Sequence, residues 1–225
     1  MQKKIAVILS GCGFQDGAEI YESVLTLLRL DEKKNVSYQC LAPDIPQMHV
    51  INHATGDETA DSQPQGSASR SVLAESARVA RGEIQDLANA NPDDFDAVIL
   101  PGGFGVAKNL STFATQGADC EVNQQVQQFV QAFHKAGKPI GLMCIAPALT
   151  AKLVAPGALC TIGNDPGIEG ALVNMGALHK TCPVDEIVVD NNNKLVTTPA
   201  YLLATRLTEA QAGIFKLVDK VLEMA

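Results

Sequence analysis

The sequence predicts a doubly wound α/β fold, with a mostly parallel sheet and helices on both faces. Three observations predict it. Short continuous apolar runs, such as Ile5-Ala6-Val7-Ile8-Leu9, have the length and lack of alternation of strands buried on both sides. These runs alternate with segments of helical period, which implies parallel βαβ units. Three runs end in unusual turns: Gly11-Cys12-Gly13, Pro101-Gly102-Gly103 and Met143-Cys144-Ile145. Ligands of such sheets bind outside the carboxyl ends of the strands, so those turns are where function is expected.

The elements follow in order. After the first strand and the glycine-rich turn from Gly11 to Gly17, a helix is predicted from near Ala18, with Ile20, Val24, Leu25, Leu27 and Leu28 along one side. A second strand runs from about Val36 to Leu41. Residues 43–70 have little periodicity and are rich in Asp, Gln, Ser, Thr, Gly and His; a loop this long in one domain predicts a lid or a subunit contact. Ser71 to Leu87 reads as helix, and Phe95 to Leu100 as a third strand stopped by Pro101-Gly102-Gly103. Glu121 to Ala136 is a helix carrying Val122, Val126, Phe129, Val130 and Phe133 on one face. Gly137-Lys138-Pro139 turns into strand Ile140 to Met143, and a helix is expected directly after Cys144. A short strand near Leu159–Ile162 and a helix near Ile168–Met175 follow. A hairpin comes next, with strands Ile187–Val189 and Leu195–Thr197 about the turn Asn191-Asn192-Asn193. A last helix covers Ala200 to Leu222. With no internal repeat and no linker, residues 1–225 are expected to form one domain.

Composition narrows the partners. The chain has 225 residues and a net charge of −8, which repels phosphate backbones; with no Trp and few aromatics, nucleic acid is not expected as a partner. No apolar run approaches the ~20 residues of a membrane span, so no membrane partner is expected either. The first residues run straight into the first strand, with no signal-peptide pattern. The six cysteines are scattered without a C-x-x-C pair and are read as free thiols in a reducing compartment, hence a cytoplasmic protein.

Cys144 follows the apolar run Ile140-Gly141-Leu142-Met143 and precedes a predicted helix, the layout of a nucleophile elbow. A thiol at a helix N-terminus is stabilised as thiolate. Ala146 suits the tight turn; Leu142 departs from the small residue usual there, and a buried core cysteine is the alternative. Gly102 and Gly103 lie at another strand end. The Gly103 and Ile145 N–H groups are the natural oxyanion-hole pair, the alternative being a plain glycine turn. Glu19, in Asp16-Gly17-Ala18-Glu19, has the spacing to close a capping box. It is also placed to point at Cys144, stay protonated beside a thiolate and shuttle a proton. Cys12 and His53 are candidate pocket residues. Gly11-x-Gly13-x-x-x-Gly17, with Asp44 at the end of the second strand, is one residue too long for a dinucleotide fingerprint. His179 and Cys182 form an H-x-x-C pair without further ligands, so no metal is expected.

These stretches, together with Val50-Ile51-Asn52-His53, Lys108-Asn109-Leu110, Cys182-Pro183-Val184-Asp185 and Val196-Thr197-Thr198-Pro199-Ala200-Tyr201, resemble the ElbB-like family. That group lies in the PfpI-type, class I glutamine-amidotransferase-like superfamily, and the likeness covers nearly the whole chain. It implies a flavodoxin-like sheet, a homodimer and a cytoplasmic bacterial protein with a genetic link to isoprenoid synthesis. It also implies cofactor-independent glyoxalase or deglycase chemistry, without glutathione, on glyoxal, methylglyoxal or their adducts. The superfamily's reactive cysteine maps onto Cys144 and its first-helix glutamate onto Glu19. The chain lacks the His-x-Glu pair of amidotransferases, which argues against glutaminase. Where many relatives keep a His about 20 residues past the Cys, it has Gly163-Asn164-Asp165. Further expectations stay open: either His53 substitutes as the partner base or Cys144 and Glu19 act alone and slowly; Cys144 is instead a redox-sensing or metabolite-binding thiol; or, as a weaker reading, the Gly11–Gly17 loop binds a nucleotide.

Overall fold

A computed structural model describes residues 2–59 and 70–225. Its main sheet is built from β1 (Lys3–Ile8), β2 (Val36–Ala42), β3 (Ile84–Asp86), β4 (Ala97–Leu100), β5 (Ile140–Met143), β8 (Val188–Asp190) and β9 (Leu195–Thr198). The strand order is β3-β2-β1-β4-β5-β9-β8. All neighbours pair in parallel except β8 and β9, which form the expected hairpin. The α/β, mostly parallel architecture is therefore as predicted. A small second sheet joins β6 (Leu159–Cys160) to β7 (Leu178–His179).

Every residue of β4 and β5 is buried, as the unbroken apolar runs require. Helices α1 (Ile20–Asp31), α2 (Val72–Val79) and α8 (Leu207–Met224) cover one face of the sheet. Helix α5 (Gln124–Lys135) packs on β4 and β5 through Val126, Phe129, Val130 and Phe133. A double hydrogen bond from Arg29 to Asp219, at 3.0 and 2.6 Å, clamps α1 to α8 and fixes where α1 presents its first turn. The connections from β1 and from β4 leave to opposite faces, so the winding reverses between those two strands, and ligands of such sheets bind at the carboxyl edge near that point.

Three sequence expectations change. Helix α2 stops at Val79, because Arg81 and Gly82 both take positive φ (54° and 86°) and release the chain into β3, a strand that no sequence pattern announced. The helix expected after Cys144 is a 3₁₀ turn over Ala146–Leu149 followed by one α-helical turn, α6 (Thr150–Leu153). A helix that short has little dipole to offer a thiolate. After Gly103 the chain forms α3 (Phe104–Lys108) and α4 (Phe113–Gln116) before α5, and α7 (Pro166–Asn174) precedes β7. Of the expected lid, residues 60–69 lie outside the described residues. The part from 43 to 59 is laid on the turn after β1: the Ile51 N–H donates to Asp16 Oδ2 (2.7 Å) and the Met48 N–H to Asn109 Oδ1 (2.9 Å).

Candidate active site

Two strand ends are fused backbone to backbone. The Glu19 N–H donates to Gly102 O (3.0 Å), the Phe104 N–H to Phe14 O (2.7 Å) and the Gly105 N–H to Gly17 O (2.9 Å). A Cβ on Gly103 would overlap the Glu19 nitrogen and the Gly17 carbonyl, so side chains are excluded from the seam. This is why the turns after β1 and β4 are both glycine-rich.

Cys144 sits where β5 ends, with φ +58°, and its N–H donates to Thr198 O of β9 (3.0 Å). A non-glycine residue in the left-handed region is strained, and such strain gathers at functional sites. The nucleophile-elbow layout is present. The Gly103 and Ile145 N–H groups are both close enough to the Cys144 sulfur to favour its thiolate, so the two donors named from the sequence converge on that atom. Gly102 leaves room for the pair beneath it: a Cβ there would overlap the Cys144 Cβ and stand 2.9 Å from its Sγ.

The carboxyl against the thiol belongs to Glu22, not Glu19. Glu22 is fully buried and hydrogen-bonded to the Cys144 side chain. Its Oε2 accepts from the Gly102 N–H at 2.8 Å and its Oε1 from the Tyr201 N–H at 3.1 Å. The second donor depends on Ala200, whose φ of +45° turns the Tyr201 N–H inward from the end of β9. Glu19 is instead the N-cap of α1, accepting from the Glu22 N–H at 2.6 Å. The expected capping box is absent too, since Asp16 spends Oδ2 on Ile51. The reason is helical geometry. Glu22 lies in the first turn, facing the sheet, whereas Glu19 is half outside the helix. Glu22 is buried while its neighbours Ile20, Tyr21 and Val24 are exposed, an inversion of the usual polarity that only the folded chain shows.

The electrostatics also reverse an expectation. The Cys144 thiol is pushed well above its ordinary value, by burial first and then by the Glu22 carboxyl, against the two N–H groups that favour thiolate. Glu22 is pushed up to about 7, by burial first and then by the neighbouring Glu19 charge. Two negative charges in one buried site repel, so the pair resists losing its shared proton. A resting thiolate made by a helix dipole is replaced by a thiol hydrogen-bonded to a carboxylate that can take its proton.

Beside Cys144 lies a cavity of about 120 Å³ lined by Phe14, Glu19, Gly103, Phe104, Ile145, Ile168, Tyr201 and Leu202. Neither Cys12 nor His53 lines it. Cys12 stands near Glu75, Arg78 and Asp16. His53 has Nδ1 on Ile51 O (3.1 Å), Nε2 accepting from the Gln15 N–H (3.3 Å), and its ring edge-on to Phe14. It pegs the loop, and both nitrogens are spent. His179 is spent likewise, between the Ile162 N–H and Glu169. The glycine turn after β1 is no dinucleotide cradle either: the Glu19 carboxylate occupies the N-terminus of α1, where a phosphate would sit. Asp44 accepts from the Ser71 hydroxyl at 2.7 Å. Among the described residues, no three His, Cys, Asp or Glu side chains gather as metal ligands.

Comparison with known proteins bears on the family and the fold. The sequence matches the profile of the DJ-1/PfpI family over residues 83–207. The Homo sapiens "glutamine amidotransferase-like class 1 domain-containing protein 3, mitochondrial" is 47% identical over 98% of this chain and 83% of its own. The Danio rerio "ES1 protein, mitochondrial" is 37% identical over 89% and 77%. An "isoprenoid biosynthesis protein with amidotransferase-like domain" from Ehrlichia chaffeensis superposes with a TM-score of 0.89 at 34% identity, over 99% of both chains. The mitochondrial names of such relatives overturn the expectation of a cytoplasmic protein. Free thiols point to a reducing compartment without saying which one.

Proposed function

The chain belongs to the DJ-1/PfpI family, and from that premise we propose that it is a cofactor-independent glyoxalase or related deglycase of the ElbB-like type, acting through Cys144. The observation that carries the reading is the buried Cys144–Glu22 pair, with two main-chain donors on the sulfur, at the wall of a cavity of about 120 Å³. A cavity that small suits glyoxal, methylglyoxal or the dicarbonyl end of an adduct. It gives no basis for a glutaminase, since no histidine lines it among the described residues. The isoprenoid role named for the Ehrlichia chaffeensis relative is compatible with such an activity and specifies no step.

The chemistry follows from the pair. Glu22 takes the thiol proton as the sulfur adds to an aldehyde carbon, and the Gly103 and Ile145 N–H groups stabilise the alkoxide. Glu22 returns that proton to the alkoxide. As a carboxylate again, it removes the C–H proton of the hemithioacetal and delivers it to the neighbouring carbonyl carbon, while the hemithioacetal O–H proton passes to that carbonyl's oxygen. One carbon is oxidised to a thioester and its neighbour reduced to an alcohol. Water then releases glycolate or lactate and restores the thiol. The redox-sensing alternative rested on a thiol of low pKa, and both main influences on Cys144 act the other way.

Purified protein given glyoxal without glutathione is expected to form glycolate, and Cys144→Ala to form none. Undiminished turnover in that variant removes the proposal. A homodimer is part of the same reading. Helix α1 leaves Ile20, Val24 and Leu28 exposed in a row with Tyr21 beside them, an apolar strip suited to a second copy. Sedimentation that returns only monomer at micromolar concentration removes that part.

A further inference from the structure

Among the described residues that line the cavity beside Cys144, one side chain is charged, and the mechanism above does not use it. Among the described lining residues the walls are Phe14, Phe104, Ile168, Tyr201 and Leu202, with no Lys, Arg or His. The charged exception is Glu19. Its carboxylate is held in place rather than free to swing: it accepts from the Glu22 N–H at 2.6 Å and from the Tyr21 and Ile20 N–H groups of the same turn. Burial pushes the Glu19 carboxyl up, against these donors at the positive end of the helix dipole, which favour its ionised form. The remaining main-chain donors, Gly103 and Ile145, are directed at the sulfur, where an aldehyde oxygen would develop charge. A carboxylate elsewhere on a substrate therefore meets an apolar wall and a fixed like charge.

We propose that Glu19 is a specificity-determining residue that makes the Cys144 cavity a charge filter, admitting uncharged small aldehydes and rejecting those that carry a carboxylate or phosphate. This rests on the reading of Cys144 as a nucleophile towards aldehydes and adds two consequences. The substrate class is neutral dicarbonyls; glyoxylate and phosphorylated aldehydes of similar size are excluded. The reaction also turns a neutral substrate into a carboxylic acid that ionises. The product acquires the charge that the cavity rejects, so Glu19 speeds its departure and suppresses product inhibition. Like charges a few ångströms apart, with little water between them, disfavour an anion by roughly ten- to a thousand-fold.

The test uses iodoacetamide and iodoacetate, a matched neutral and anionic pair, with labelling of the Cys144 peptide read by mass spectrometry. The neutral-to-anionic rate ratio is divided by the same ratio for the urea-unfolded chain. Wild type is expected to exceed unity by at least about ten-fold. Glu19→Gln, whose amide oxygen still caps α1, is expected to bring the ratio within about three-fold of unity and to make glycolate an inhibitor of any glyoxal turnover. A melting curve checks that the variant is folded. A wild-type ratio near unity, a ratio unchanged in Glu19→Gln, or failure of iodoacetamide to reach Cys144 overturns the filter. Selective labelling without glyoxal turnover leaves the filter standing and removes the glyoxalase reading; turnover without selective labelling does the reverse.

Discussion

Cys12 and Cys144 each follow a strand of the same parallel sheet, both at its carboxyl edge and both flanked by tight turns. The turn that holds Cys12 is stitched to itself and to residues 47–53, and its glycines exist to let main chain touch main chain. Cys12 is half-buried beside Glu75, and the Arg78 charge partly offsets the rise that burial gives its thiol. Cys144 is buried and strained in φ, with a carboxyl and two N–H groups aimed at it and a cavity alongside. A cysteine at a strand end is thus a common circumstance. What separates the two is a second carboxyl-terminal strand end supplying donors and a helix supplying a carboxyl. The turn after β1 serves the site at β5 by carrying α1, and with it Glu22, into place.

That contrast can be broken in graded ways. The largest effect after loss of Cys144 itself is expected from Glu22→Gln, which removes the base: glyoxal turnover should fall roughly hundred-fold. In wild type the rate should rise with pH through about 7 as Glu22 ionises, and the variant's profile should be flat there. Stability carries the same signature with the opposite slope. Glu22 binds its proton more tightly in the folded chain, from an ordinary value of 4.5 up to about 7. Its contribution is therefore complete below pH 4.5 and lost as pH rises through about 7, by up to roughly 3 kcal/mol. Urea midpoints at the two ends of that range measure it, and Glu22→Gln should abolish the difference. Gly102→Ala forces a Cβ onto the Cys144 Cβ and is expected to cost about 1–3 kcal/mol, with turnover falling as the pair is displaced. An unchanged melting temperature would mean that the turn yields easily. Cys12→Ala should leave turnover within about two-fold, because distant sites act independently. A large loss there would erase the distinction between the two cysteines.

Much of this was legible in the sequence, for identifiable reasons. Buried strands such as Ile140–Met143 announce themselves because a strand covered on both faces has no polar side to show. Cys144, Gly103 and Ile145 were legible because a strand leading into a tight turn leaves few positions for a nucleophile and its donors. Glu22 was not. Glu19 and Glu22 are three residues apart at one helix start, and choosing between them requires the position of the first helical residue to within one place. Nor was Tyr201: its contribution is an N–H delivered by a left-handed alanine, which leaves no mark in residue type. Strand β3 escaped because its three residues are set by an Arg-Gly stop rather than by any apolar run.

The four donors around the Cys144–Glu22 pair, at Gly102, Gly103, Ile145 and Tyr201, all belong to the main chain. The side chains of Ile145 and Tyr201 nevertheless line the cavity. On the proposed chemistry, reactivity and selectivity are therefore written in different parts of the same residues. Substitutions at 145 and 201 can widen, narrow or re-tune the chamber without dismantling the device that works in it. A lineage inheriting this site is free to diversify its substrates while its chemistry stands still.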